Sequence, residues 1–405
     1  MALTGRPNGP ALGAPAALVD LVELAAGVLE QRSDGRAAVD GLALLGERAA
    51  LAHLGRQGSS SCGGSTRLVR AADGWLAVSL ARPDDIDALG AWLCAEVPVE
   101  DPWPVVERMA AESDAATLDE RAALLGLPIA ALSSVRPPAA ASFGFPIGAA
   151  CLHEEATPPR PVDGALVVDL TSLWAGPLCG QLLAAAGARV VKVESLARPD
   201  GARQGPAAFF DLMNGLKQSV ALDLTTPAGR SELQQLIHAA DVVIESARPR
   251  GLEQMGVMAA EVLGRPGGSR PGDARPGDSG GRTKVWASIT SHGRGPGQAE
   301  RVGFGDVAAV AGGLVAGDDA GPCFLADAVT DPVAGVVAAA AVLQALAAGG
   351  RWLLDVAMAP LAAAVAGPAV EVGGFEAQPP RARPVVRPAP PLGSDTASVL
   401  RGLPS

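Results

Sequence analysis

The chain has 405 residues, 48% of them hydrophobic and 19% charged, with a formal charge of -11: enough apolar material for a large core, and too much for global disorder. The acidic balance opposes a polyanionic partner, because non-specific nucleic-acid binding needs a basic face, and seven Phe, six Trp and no Tyr leave little for base stacking. Basic charge is nearly all arginine, with lysines only at Lys192, Lys217 and Lys284. The N-terminus lacks a basic region followed by a compact apolar segment, and the apolar run Val333–Ala348 is shorter than a membrane helix of ~20 residues. A cytoplasmic protein with no membrane or nucleic-acid partner is expected. The cysteines are five, an odd number, and scattered, so neither a disulfide framework nor a metal site is indicated.

In chain order, residues 19–54 read as helix. Arg67–Leu80 reads as a hairpin closed by Ala72-Asp73-Gly74, with Gly74 as the permissive turn residue. Helical periodicity resumes from Asp84 to about Leu125, which gives a smaller α+β domain. A proline-rich stretch, Arg136 to Pro161, then precedes a regular alternation. Strands are predicted at Ala165–Leu170, Arg189–Glu194, Ser219–Leu224, Asp241–Glu245 and Val285–Ile289, with helices at Pro177–Ala186 and Ala228–His238. That alternation indicates an α/β, doubly wound, Rossmann-like parallel sheet. Gly264–Arg282 reads as a mobile insertion and Gln378–Pro391 as an extended tail. The boundaries expected are a helical segment at 1–55, the small domain at 56–140, a linker at 141–163, the large domain at 164–370 and the tail at 371–405. Val19–Ala50 also resembles Ala334–Gly367, which suggests an internal repeat.

Several segments can carry chemistry. In Thr171-Ser172-Leu173-Trp174-Ala175-Gly176-Pro177 the first strand turns into its helix, with Pro177 suited to the first helical position; the segment is either an anion-binding turn or a plain connection. The glycine fingerprint of NAD or FAD sites is absent. Glu194, at a strand end, can reach a ribose hydroxyl, and Lys217 is a candidate phosphate contact. Asp331-Pro332 opens an apolar helix, where the aspartate is either a cap or a nucleophile. His292, in Thr290-Ser291-His292-Gly293, is the one histidine in a site-like context, and no GxSxG elbow occurs.

Taken together, VVDLTSLWAGPLCGQLLAAAGARVVKVE, NGLKQSVALDLTTPAGR, DVVIESARP, ITSHGRGPG and the Asp331-x-x-x-Gly335 helix resemble the family III CoA-transferases. That group includes formyl-CoA transferase, carnitine-CoA transferase and α-methylacyl-CoA racemase. The resemblance covers about residues 165–260 and 285–358, and PAPPLGSDTASVL looks like the family's C-terminal stretch. It implies an acyl-CoA:carboxylate CoA-transferase in which Asp331 forms a mixed anhydride with the acyl group and the CoA thiolate then attacks it. It places Leu173, Trp174, Ala175, Glu194, Leu222, Thr225, Ser246, Ala247 and His292 at CoA contacts, and the Gly63-Gly64 loop over the intermediate. Acyl-CoA and a carboxylic acid are the implied partners, coenzyme A being substrate rather than a permanent cofactor, and the implied assembly is a homodimer of interlocked chains.

Departures from the family pattern also carry expectations. A family Asn is Ser246 here, a family Arg after Glu194 is Ser195, and the racemase histidine of Gly-His-Asp is missing from Phe304-Gly305-Asp306, which disfavours racemase chemistry. SSSCGGSTRLVRAADGWLAV resembles the family's small-domain loop and hairpin yet precedes the large domain, and residues 1–55 resemble its nucleophile-helix region with Ala16 in the aspartate's place. A permuted or fused-and-trimmed member follows. The alternatives left open are a non-catalytic CoA-binding relative and, ranked lower, an acyl-CoA racemase or isomerase.

Overall fold

The computed structural model describes residues 2–152, 157–247, 249–264, 282–368 and 377–403. Most of the expected insertion at 264–282, and residues 371–376 of the tail, therefore lie outside the described residues. Strands β1 (Thr66–Arg70), β2 (Trp75–Ser79) and β3 (Ile129–Ala131) form a small antiparallel sheet. The large sheet contains β4 (Gly148–Cys151), β5 (Leu166–Asp169), β6 (Arg189–Ser195), β7 (Gln218–Leu222), β8 (Val242–Glu245) and β9 (Lys284–Thr290). After the short hairpin of β10 (Ala316–Asp318) and β11 (Gly321–Cys323), β12 (Arg351–Ala357) returns to it. Its order is β4-β12-β9-β8-β5-β6-β7, parallel except for β4 at the edge.

The doubly wound sheet and the small α+β unit match the expected fold class, because runs such as VVIE and VWASI are apolar on both faces and pay for burial only between helix layers. The helix Thr330–Ala348 is apolar all round and almost wholly buried. Its length and hydropathy would suit a membrane span, but here it is the core helix, packed between β9, β12 and the helices Ala16–Arg32 and Ala175–Ala185. The small sheet docks on the large unit through the helix Gly305–Ala311, where the amides of Ser133 and Val135 donate to Val310 and Ala311 carbonyls at 3.0 and 2.9 Å.

Four expectations change. Residues 19–54 are not one helix: Ala16–Arg32 ends at Ser33, and Asp34 and Gly35 take left-handed φ of 52° and 77° before the short helices Gly41–Leu44 and Glu47–Leu51. The linker at 141–163 contains β4, which finds the free edge of β12. Gly74 closes its hairpin without a left-handed φ. The repeat is partial. The helices Ala16–Arg32 and Thr330–Ala348 lie side by side, joined by Arg32 Nε to Gln344 Oε1 at 2.9 Å. However, 351–357 is a strand because β9 and β4 flank it, and 36–39 has no such slot and stays irregular.

The tail runs without regular structure from 377 to 391, as expected, and is pinned by Arg383 on buried Glu47 (2.6 Å) and by Arg387 on the Gly215 carbonyl (2.6 Å).

Candidate active site

Because the parallel strands share one direction, the segments following β5, β6, β7, β8 and β9 all emerge on one edge of the sheet. Chain order reverses between β5 and β8, so the turn Leu173-Trp174-Ala175 and the pair Ser246-Ala247 flank a topological switch point, where α/β sheets bind ligands. The sheet thus gathers Leu173, Trp174, Ala175, Thr225, Ser246, Ala247 and His292 at one edge. Leu173 is exposed at a left-handed φ of 71°, a costly conformation for a leucine. Trp174 is buried with its ring edge-on to Phe209, 5.4 Å between centroids, and its Nε1 has no hydrogen-bond partner. Ser246 and Thr225 are exposed, and Ala247 donates its amide to Glu245 at 2.9 Å. His292 is buried, neither ring nitrogen has a partner, and burial, helped by Arg301, lowers its pKa to about 4, so it is neutral at physiological pH.

Asp331 lies within the first turn of the core helix, which begins at Thr330 after Val329, so it is not the cap that its Asp-Pro sequence allows. Its surroundings enclose it but leave part of the residue accessible. Burial raises its pKa to about 7; Arg48 and the Gly305 amide, which hydrogen-bonds the carboxylate, oppose that rise, and Asp327 adds to it. A Cβ on Gly305 would lie 2.5 Å from Asp331 Oδ2, so only glycine fits there. Gly335, one turn on, allows the core helix to approach the Ala175–Ala185 helix: a Cβ there would lie 2.7 Å from the Ala175 carbonyl oxygen. This close crossing puts the Trp174 turn beside the start of the Asp331 helix.

Three residues to which sequence reasoning gave no role, Arg48, Asp306 and Asp327, complete the cluster. Arg48, from the N-terminal segment, grips fully buried Asp327 through Nε (2.8 Å) and Nη2 (2.5 Å), and its Cζ lies 5.2 Å from the Trp174 ring centroid. Burial alone would lower the guanidinium pKa, but the Asp327 hydrogen bond and the charges of Asp327, Asp306 and Asp331 together outweigh it, so the pKa is raised. Asp306, also buried, accepts from the Ala328 amide at 3.1 Å and is pushed to about 7 by burial and by Asp327. The connecting backbone is strained, with left-handed φ of 53° at Ala326 and 43° at Ala328. The Gly63-Gly64 loop is exposed and reaches this cluster, since a Cβ on Gly63 would lie 3.6 Å from Arg48 Nη2. Next to it, burial pushes the Cys62 thiol up to about 12, which makes it a poor nucleophile. Arg48 gave no signal in its own stretch of sequence, and Asp327, four residues before Asp331, was not singled out either.

Other expectations are corrected. All three lysines are buried: Lys217 on Asp169 (2.8 Å), Lys192 on Asp200 (2.8 Å) and the Thr171 carbonyl (2.9 Å), and Lys284 on the Ile237 carbonyl (2.7 Å). All three are thus engaged inside the protein rather than standing free at the sheet edge. Glu194 is engaged by Arg203 (2.6 and 2.9 Å) and by the Asp200 amide (3.0 Å) rather than standing free at the strand end. The Leu222 side chain is in the core, so only its backbone faces the edge. Pro177 is the third residue of the helix rather than the first. Among the described residues no cluster has the makeup of a metal site.

Residues 162–265 match the model of CoA-transferase family III. The succinyl-CoA–D-citramalate CoA-transferase of Chloroflexus aurantiacus is 38% identical over 107 residues, 25% of this chain and 27% of that protein. A probable fatty acyl-CoA transferase of Mycobacterium tuberculosis is 35% identical over 203 residues, 47% of each chain. The chain therefore spans about a quarter to about half the length of these relatives. A crystal structure of a hypothetical protein from Mycobacterium tuberculosis aligns with 33% identity and a TM-score of 0.38 over 46% of this chain and 50% of that one.

Proposed function

We propose, from the premise that this chain belongs to CoA-transferase family III, that it moves CoA from an acyl-CoA thioester to a carboxylic acid with Asp331 as nucleophile. The observation that carries this is the contrast between two neighbouring carboxylates. Asp327 is fully buried and neutralised by a bidentate arginine, which fits a structural role. Asp331 has no such partner, is half-buried as a residue, and its pKa of about 7 leaves the ionised form available at neutral pH without deep stabilisation.

The chemistry balances without a redox partner. An oxygen of ionised Asp331 adds to the thioester carbonyl carbon, the C–S bond breaks, and CoA leaves as thiolate, giving a mixed anhydride. The thiolate adds to the Asp331 carbonyl carbon, the donor acid leaves as carboxylate, and Asp331 is left as a CoA thioester. The acceptor carboxylate then runs the same two steps in reverse and restores the Asp331 carboxylate. The Gly305 amide, which hydrogen-bonds the Asp331 carboxylate, is a donor suited to the oxyanion that forms on the Asp331 carbonyl when the thiolate adds to it, and the Gly63-Gly64 loop is the element suited to exclude water from the anhydride. Gly305 also counts against racemisation, since no base fits at that position. The small-domain-first order, a homodimeric assembly and a cytoplasmic location are part of the same proposal.

The test is to incubate the protein with succinyl-CoA, formyl-CoA and a long-chain acyl-CoA, each against a panel of acids, and to add hydroxylamine. Peptide mass spectrometry should find a hydroxamate at Asp331, and Asp331→Ala should abolish exchange. Turnover that survives in Asp331→Ala rejects the reading.

A further inference from the structure

We propose that Arg48 and Trp174 form the pocket that takes the carboxylate of the acid substrate, with Arg48 as its cation. The inference rests on the transferase reading for its biological meaning but not for its test. Asp327 holds Arg48 through Nε and Nη2, and Nη1 makes no hydrogen bond among the described residues. About a third of the side chain (32%) stays exposed. A guanidinium fixed through two nitrogens has a fixed orientation, so its remaining edge is a donor of defined direction. The second, independent observation is Trp174. Its ring lies beside the guanidinium, it is only 3% exposed, and its indole N–H has no acceptor, a state that costs free energy until one is supplied.

The charges around the pocket favour an anion at one stage in particular. Arg48 and Asp327 form a neutral pair, and Asp331 loses its charge when it is acylated. An incoming carboxylate then meets two unspent donors and no ionised nucleophile. The exposed Gly63-Gly64 loop borders the same guanidinium, so this side of the cluster lies next to solvent. Arg48 comes from the N-terminal segment and Trp174 from the large unit, which makes the pocket a product of their association.

Direct binding tests this on the ligand-free chain. With 15N-labelled tryptophan, the Trp174 indole resonance, assigned by its absence in Trp174→Phe, should shift saturably with acetate, succinate or octanoate. Arg48→Met combined with Asp327→Asn removes both charges, so no buried ion is left unpaired; the affinity of the responding acid should fall tenfold or more, with Arg48→Lys intermediate. In turnover, KM for the acid should rise in the double variant while KM for the acyl-CoA changes little. No shift with any of the three acids, or equal affinity in the double variant, overturns the pocket. A saturable shift without CoA transfer supports the pocket and rejects the transferase reading, whereas transfer with an unchanged acid KM in the double variant rejects the pocket alone.

Discussion

Lys217 is buried against Asp169, with Nζ 2.8 Å from Oδ2, and it also donates to the Pro177 carbonyl (2.9 Å) and to Asn214 Oδ1 (3.0 Å). Burial lowers the lysine pKa, and Lys217 with Lys192 outweighs burial to lower that of Asp169, so the two hold each other ionised. Lys217→Met leaves a carboxylate unpaired inside the protein and should cost about 3–5 kcal/mol of stability. Adding Asp169→Asn should restore most of it. Calorimetric affinity for CoA in the double variant should stay within about threefold; a large loss there, with stability intact, would return Lys217 to a phosphate-binding role.

Trp174→Phe separates the indole N–H from the ring. The N–H has no partner in the chain, so its removal should leave the denaturation midpoint unchanged or slightly raised. Affinity for the carboxylic acid should fall by about tenfold, the worth of one hydrogen bond to a charged group at the low end. Equilibrium unfolding and acid titration of the same variant check both halves.

The sheet was legible because its strands are short apolar runs separated by helical periods, and the places of Leu173, Trp174 and Asp331 beside helix starts were legible from the prolines Pro177 and Pro332 that follow them. What could not be read is pairing at a distance. Lys217 has the same sequence context whether it meets a phosphate or Asp169, and only the turn of the helix Ala175–Ala185 over β5 decides. Glu194 faces the same ambiguity and is taken by Arg203, nine residues on. Arg48 is 279 residues from Asp327, so neither marked the other. β4 was hidden because a four-residue strand of small residues carries no period of its own and is defined by the edge it completes.

Gly335→Ala tests whether the crossing of the two helices sets the site. The added methyl would lie 2.7 Å from the Ala175 carbonyl oxygen and 3.0 Å from Leu178 Cβ, and the first of these is backbone that cannot rotate away. Overpacking of this kind should cost about 1–3 kcal/mol. The helices must part at the turn that carries Trp174, so CoA exchange should fall further than stability alone explains. Exchange rates measured well below the unfolding midpoint check this; a variant with lower stability but full exchange would show that the crossing is only structural.

The last prediction concerns pH. Asp331 and Asp306 both have pKa values raised to about 7, by burial first, with Asp327 adding to both and Arg48 opposing. The ionisable groups that face them are Arg48 and Cys62 from the N-terminal segment and Asp327 from the loop before the core helix. The nucleophile is the carboxylate, so kcat/KM for acyl-CoA should be flat above about pH 8 and fall about tenfold per pH unit below about pH 6. The stability linkage has its own sign. In the unfolded chain these acids titrate near 3.8, and between there and about 7 the folded chain holds the extra protons. Their contribution to stability is therefore complete below about pH 4 and is lost as pH rises through about 7. Asp306→Asn keeps an acceptor for the Ala328 amide and removes one of the two titrations. It should flatten the decline in stability across that window while leaving the acid limb of the rate in place. A limb that vanishes in Asp306→Asn would assign it to Asp306 instead of the nucleophile.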